Sequence, residues 1–159
     1  MKLETAKELA EQVKATLLPH CQRIEIAGSI RRKKPIVHDI DMVLIPKPYA
    51  AIMMSGLLTT IGALTQNGDK IKRVFLVDYD ITVDIYMATP ASWATLVLIR
   101  TGSKENNIRL CTIARRKGWQ LKANGDGLFN LHGERIAGDT EQSIYEALNI
   151  RDQEPQERR

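Results

Sequence analysis

The chain has 159 residues, 43% of them hydrophobic and 26% charged, with a net charge of +4. This is the composition of one compact domain or two small lobes with a real core, and it argues against a disordered or low-complexity chain. The mild basicity admits a polyanionic partner without requiring one, and the two cysteines, Cys21 and Cys111, fit no metal-ligand spacing and read as buried thiols of a reducing, cytoplasmic compartment.

Residues 3–18 carry apolar side chains at three- and four-residue spacing (Leu3, Ala6, Leu9, Ala10, Val13, Leu17) and predict a helix opened by Glu4 or Thr5 and closed before Pro19. Ile24 and Ile26 alternate in a short strand over 23–27, which Gly28-Ser29 breaks. Arg31–Pro35 form a basic loop, and 39–45 a second strand ended by Pro46 and Pro48. The uncharged stretch 49–66 predicts a helix. Its polar and small residues dilute it too far for a membrane span, so it is expected to be buried against a sheet. Strands over 72–77 and 81–87 follow, joined by an Asp78-Tyr79-Asp80 turn. Beyond Pro90 come helices over 91–100 and 104–117 with Gly118 at the C′ position. Short strands follow around 119–122, 127–131 and 134–137, then a helix over 140–148 and a polar tail over 151–159. The fold class is α+β: a helix-backed mixed sheet over 1–90, then a small α+β lobe over 91–159.

The chemistry starts at Asp39-Ile40-Asp41. In a strand, residues i and i+2 share a face roughly 6.5–7 Å apart, so both carboxylates point one way while Ile40 anchors the other. Aligned carboxylates repel unless a cation lies between them, and hard cations such as Mg²⁺ take carboxylate and phosphate oxygens together. Upstream, Gly28 permits close backbone approach to a phosphate, Ser29 offers a hydroxyl, and Arg31 and Arg32 can neutralise a triphosphate. Asp84 lies on a strand whose opposite face is Ile81, Val83 and Ile85. A charge there is costly unless paired or metal-bound, which makes it the candidate third ligand and base. Asp78 and Asp80 read as turn residues. Lys70, Lys72, Arg73, Arg115, Arg116 and Lys117 form a basic face that can track a DNA backbone or simply be solvated. Trp93 and Trp119 read as core, and His38 as a loop residue.

These segments, Gly28-Ser29-Ile30-Arg31-Arg32, Asp39-Ile40-Asp41 and Val83-Asp84-Ile85, resemble the DNA polymerase X family of polymerase-beta-like nucleotidyltransferases. The resemblance continues through Thr101-Gly102-Ser103, Asn107, Ala114–Gly118 and Gly127-Leu128-Phe129, and runs to about Ile150. It implies a palm over 1–90 and a thumb over 91–159. Asp39, Asp41 and Asp84 would hold two Mg²⁺ ions, with Mn²⁺ as an alternative, and Asp84 would accept the primer 3′-hydroxyl proton. Ser29 and Arg32 would bind the β- and γ-phosphates of a dNTP, with Gly28 allowing their approach. Gly102 would contact the sugar, Lys104 would lie by the base and Asn107 would reach its minor-groove edge, while Arg31 serves structure. The implied partners are a dNTP and gapped or primer-template DNA, bound by a monomer with no membrane role. A partner protein would supply DNA grip.

The chain departs from the family in three ways. It begins at the palm, so 5′-deoxyribose-phosphate lyase activity is not expected. Ile99-Arg100 replaces a common aromatic pair before Thr-Gly, which bears on the choice of dNTP over NTP. Lys33 replaces a common Gly, and the tail lacks the usual Pro-Tyr. Two other readings stay open at this stage: a nucleotidyltransferase acting on an RNA end, protein or small molecule, and a non-catalytic nucleic-acid-binding module.

Overall fold

The first apolar repeat folds as α1 (Leu3–Leu17), with Ala6, Leu9, Ala10, Val13 and Leu17 buried along one stripe. Its N-cap is Lys2, which makes no side-chain cap, so neither Glu4 nor Thr5 opens it. The computed structural model describes residues 1–158. A five-stranded sheet follows: β1 (Cys21–Ile26), β2 (Asp39–Pro46), β3 (Ala63–Asn67), β4 (Ile71–Leu76) and β5 (Ile81–Met87), in the order β1-β2-β5-β4-β3. β2 and β5 pair in parallel and every other pair is antiparallel, so the sheet is mixed. Between β1 and β2 lies α2 (Gly28–Arg31), a single turn entered at Gly28.

Alternation along the strands divides the sheet into two faces. Ile40, Met42 and Leu44 of β2 and Ile81, Val83 and Ile85 of β5 join the core that α1 covers. Val43, Ile45 and Tyr86 face the other way, against Trp93, Ala94 and Val97 of α4 (Trp93–Thr101). The same face carries Asp39, Asp41 and Asp84 beyond the end of that packing.

Two expectations need correction. The uncharged stretch is a helix only over α3 (Pro48–Thr59), and the rest turns back as β3, hairpinned to β4. A Cβ on Gly62 would lie 2.7 Å from the Phe75 carbonyl oxygen, so the chain passes too close to the hairpin there for a helix carrying side chains. Nor is α3 buried all round. Ala50, Met54 and Leu58 face the core, while Tyr49, Ile52 and Met53 are exposed. No described helix is long and apolar enough to cross a membrane.

The remaining elements are α5 (Lys104–Arg116), β6 (Gln120–Lys122), β7 (Gly127–Phe129), β8 (Arg135–Ala137) and α6 (Glu141–Leu148). Leu98, Leu110, Leu128, Ile144 and Tyr145 form a second core between these helices and the three-stranded sheet. Thr140 caps α6 in a reciprocal capping box with Ser143.

The tail is the second correction. As far as Arg158 it folds back (Arg159 lies outside the described residues), and Arg158, only 3% exposed, places Nη1 2.7 Å from Oε2 of Glu141, an ion pair off the hydrogen-bonding angle. Glu141 also accepts from Arg31 Nη2 at 2.7 Å, and Arg31 Nη1 donates to Thr101 Oγ1 at 2.8 Å. Arg31 therefore ties the turn after β1 to α4 and α6. Glu141→Ala leaves two guanidinium groups without their carboxylate, one of them buried, and is expected to destabilise the fold by about 3 kcal/mol. Urea unfolding of the variant beside the wild type checks this.

Candidate active site

The parallel register of β2 and β5 sets Asp41 directly beside Asp84, and Asp39 beside Thr82. Asp39 is exposed, Asp41 half-buried, and the Asp84 side chain 8% exposed. Exposure thus falls from Asp39 through Asp41 to Asp84. Burial, reinforced by the neighbouring Asp39 and Asp84 carboxylates, raises the Asp41 pKa to about 7. The Tyr86 hydroxyl and the Arg100 guanidinium pull it part of the way back.

Asp41 is seated by Gly28. With φ at +59°, Gly28 turns the chain so tightly that an added Cβ would lie 2.0 Å from Asp41 Oδ2. The Ala27 N–H donates to the Asp41 carbonyl at 2.8 Å, which fastens the turn to β2.

Opposite the carboxylates, a cavity of about 640 Å³ is walled by Arg32, Asp39, Asp41, Gly102, Lys104 and Asn107, with Tyr86, Arg100 and Arg115. Arg32 Nη1 donates to the Thr101 carbonyl, and Gly102, at φ +71°, leaves room for that guanidinium 3.0 Å from where its Cβ would be. Ser103 caps α5 by accepting from the Asn106 N–H at 3.1 Å, which fixes Lys104 and Asn107 on the first turns. Asn107 spends its amide on the Ile99 carbonyl at 2.8 Å. Around the site, buried polar atoms are left without a partner: Ser29 Oγ, Arg32 Nε, Arg100 Nε and Asn107 Oδ1.

Residues 96–159 match the family described as DNA polymerase beta thumb. The DNA polymerase/3′-5′ exonuclease PolX of Bacillus subtilis (strain 168) is 28% identical over 125 residues, covering 77% of this chain and 22% of that protein. The fold superposes on crystal structures of Leishmania infantum polymerase beta at a TM-score of 0.82. A ternary P/T complex is 21% identical over all of this chain and 76% of the other. A ternary gap complex is 20% identical over 99% of this chain and 70% of the other. In fold the chain is polymerase-beta-like, and its residues 96–159 match the thumb of that family. It spans less than a quarter of the length of its Bacillus relative.

The fold therefore brings Arg32, Asp39, Asp41, Gly102, Lys104 and Asn107 to one cavity and sets Asp84 beside Asp41. Gly28 lies behind Asp41 rather than on the cavity wall, and Ser29 is also off that wall. Tyr86 is not expected in the site from the sequence, and Arg100 is expected to bear only on the choice of nucleotide. Tyr86 lies two residues after Asp84 on the same face of β5, and Arg100 stacks over its ring at 4.1 Å from the centroid. Alternation along β5 was enough to place Tyr86 in the site. The basic face also splits. Lys72 is buried, its ammonium held by Asn67 Oδ1 at 2.5 Å and Ser55 Oγ at 3.2 Å, while Arg73 donates from Nε and Nη2 to the two oxygens of Asp84, at 2.5 and 2.8 Å.

Proposed function

We propose that this chain carries out metal-dependent, DNA-directed transfer of a nucleotidyl group from a dNTP to a primer 3′-hydroxyl, filling short gaps in DNA. The observation that carries this reading is that Asp39 and Asp41 wall a cavity with Arg32, Arg100, Lys104 and Arg115, while Asp84 pairs beside Asp41. The likeness to polymerase beta and PolX supports it.

The donor set suits a hard cation. All three ligands are carboxylates, and the pKa of Asp41 is raised by its burial and then by the Asp39 and Asp84 carboxylates beside it. Among the described residues no group of three such ligands is already drawn together as a metal cage. Asp39 and Asp41 would hold Mg²⁺ with Asp84. The ion would neutralise the transferring phosphoryl group and ease ionisation of the attacking hydroxyl. Arg32 and the Ser29 hydroxyl would orient the triphosphate, Gly102 would pass beneath the sugar, and Lys104 and Asn107 would flank the base. Asp84 would take the proton of the primer hydroxyl.

Labelled primer extension on gapped, nicked and single-stranded substrates, with dNTPs and NTPs at several salt concentrations, tests the proposal. The expected result is Mg²⁺-dependent addition that obeys template pairing and is strongest on gapped DNA. Addition that ignores the template would instead support transfer to another acceptor. No turnover with any substrate would leave a binding module.

A further inference from the structure

We propose that Arg73 is a positioning residue that makes strand binding and metal binding cooperative: its guanidinium holds Asp84 until a backbone phosphate draws it away. The proposal rests on the polymerase reading.

Arg73 of β4 and Asp84 of β5 are cross-strand partners, and Asp41 flanks Asp84 on the other side. The fork from Arg73 reaches both carboxylate oxygens, at 2.5 and 2.8 Å. This fork takes one lone pair of each oxygen and offsets the charge of Asp84, which weakens its hold on a cation and its pull on a proton. Asp84 is therefore in place but engaged.

The two partners differ in freedom. The Asp84 side chain is 8% exposed, whereas Arg73 is 43% exposed and can swing. It borders a second cavity of about 780 Å³, whose charged lining is Lys70, Lys72, Arg73 and Arg100 against Asp69 and Asp126. The surplus of positive charge there favours a polyanion. Tyr86 and Arg100 line both cavities, so the second opens beside the one that Asp39 and Asp41 wall. A phosphate accepts the same planar fork that Asp84 accepts. If the guanidinium moves from carboxylate to phosphate, Arg73 keeps its hydrogen bonds and Asp84 is left with a buried, uncompensated charge beside Asp41. That charge strengthens cation binding, and by linkage the cation strengthens strand binding by the same factor.

The experiment counts bound Mn²⁺ by EPR, for the protein alone and with gapped duplex DNA in the absence of any nucleotide, with DNA alone as the blank. DNA affinity is read by fluorescence anisotropy with and without Mn²⁺. For the wild type, DNA is expected to tighten Mn²⁺ binding about tenfold or more, and Mn²⁺ to tighten DNA binding by a matching factor. In Arg73→Gln, the free protein should bind Mn²⁺ more tightly than the wild type does, and the coupling should fall to near one. Arg73→Lys keeps the charge, and so a partner for Asp84 if the glutamine variant fails to fold, but it cannot span both oxygens. It should lose most of the coupling.

Independent binding of Mn²⁺ and DNA in the wild type would overturn the proposal. So would Arg73→Lys with wild-type coupling, or Arg73→Gln with unchanged Mn²⁺ affinity in the free protein. Because no turnover is needed, a coupled protein that extends no primer would sink only the polymerase reading. One that extends primers with uncoupled binding would sink only the role of Arg73.

Discussion

Asp41→Asn is expected to abolish nucleotidyl transfer and, in the metal-free protein, to raise stability. Loss of transfer follows from removing the central carboxylate, the one flanked by Asp39 on its own strand and by Asp84 on the next. If the cation held there contributes several kcal/mol to the transition state, the fall is on the order of 10³-fold or more. Single-turnover extension on a gapped duplex measures it, and a variant that keeps full Mg²⁺-dependent activity would remove the basis of the proposed function.

The gain in stability follows from the raised Asp41 pKa of about 7. In the unfolded chain an aspartate titrates near 3.9. Between these values the folded state binds a proton that the unfolded state does not, so the contribution of this group falls as pH rises. The cost is absent below about pH 4 and complete above about pH 7, where it reaches up to about 4 kcal/mol. Asparagine carries no charge in either state and escapes it. Urea unfolding in EDTA should therefore show the variant more stable than the wild type at pH 8, with the difference vanishing near pH 4. Added Mg²⁺ should stabilise the wild type at pH 8 and leave the variant nearly unmoved. A residue that lowers stability while the site is empty and is indispensable when it is filled behaves as a functional ligand rather than a structural one.

The contrast between Asp41 and its surroundings also shows what could be read from the chain alone. Parity put Asp39 and Asp41 on one face of β2, and the apolar Ile81, Val83 and Ile85 put Asp84 on the opposite face of β5 from the core. Both inferences are local, because side chains alternate along a strand whatever its neighbours are. That Arg73 closes on Asp84 is not local. It depends on the register of β4 against β5, which no spacing within either strand fixes. The uncharged stretch misled for a related reason. Its composition suits a buried helix or a strand equally well, and the decision fell to Gly62, where the chain passes close to β4. The tail read as polar because Arg158 is buried against Glu141 and Tyr145, seventeen and thirteen positions away on α6.

Gly28→Ala tests the packing that seats Asp41, without touching a carboxylate. The new methyl group would lie 2.0 Å from Asp41 Oδ2, 2.8 Å from its Cγ and 2.9 Å from its Cβ. Either the turn or the aspartate must move. The turn is held, because Ala27 donates to the Asp41 carbonyl and Arg31 to the Ala27 carbonyl, at 2.8 and 3.2 Å. The side chain of Asp41 therefore rotates off its position, and the left-handed backbone at φ +59° adds roughly 1–2 kcal/mol of strain for any residue with a Cβ. The protein should fold with reduced stability and lose on the order of 10²-fold or more in transfer rate, since displacement of a reacting group by about 1 Å has that effect. Gly56→Ala is the matched control. Its added Cβ would meet nothing within 4 Å, and it lies within α3, so it should stabilise the protein by about 0.5–1 kcal/mol and leave transfer unchanged. If Gly28→Ala were as active as Gly56→Ala, the carboxylate position set by the turn would not matter to the chemistry, and the site would have to be sought elsewhere along the cleft.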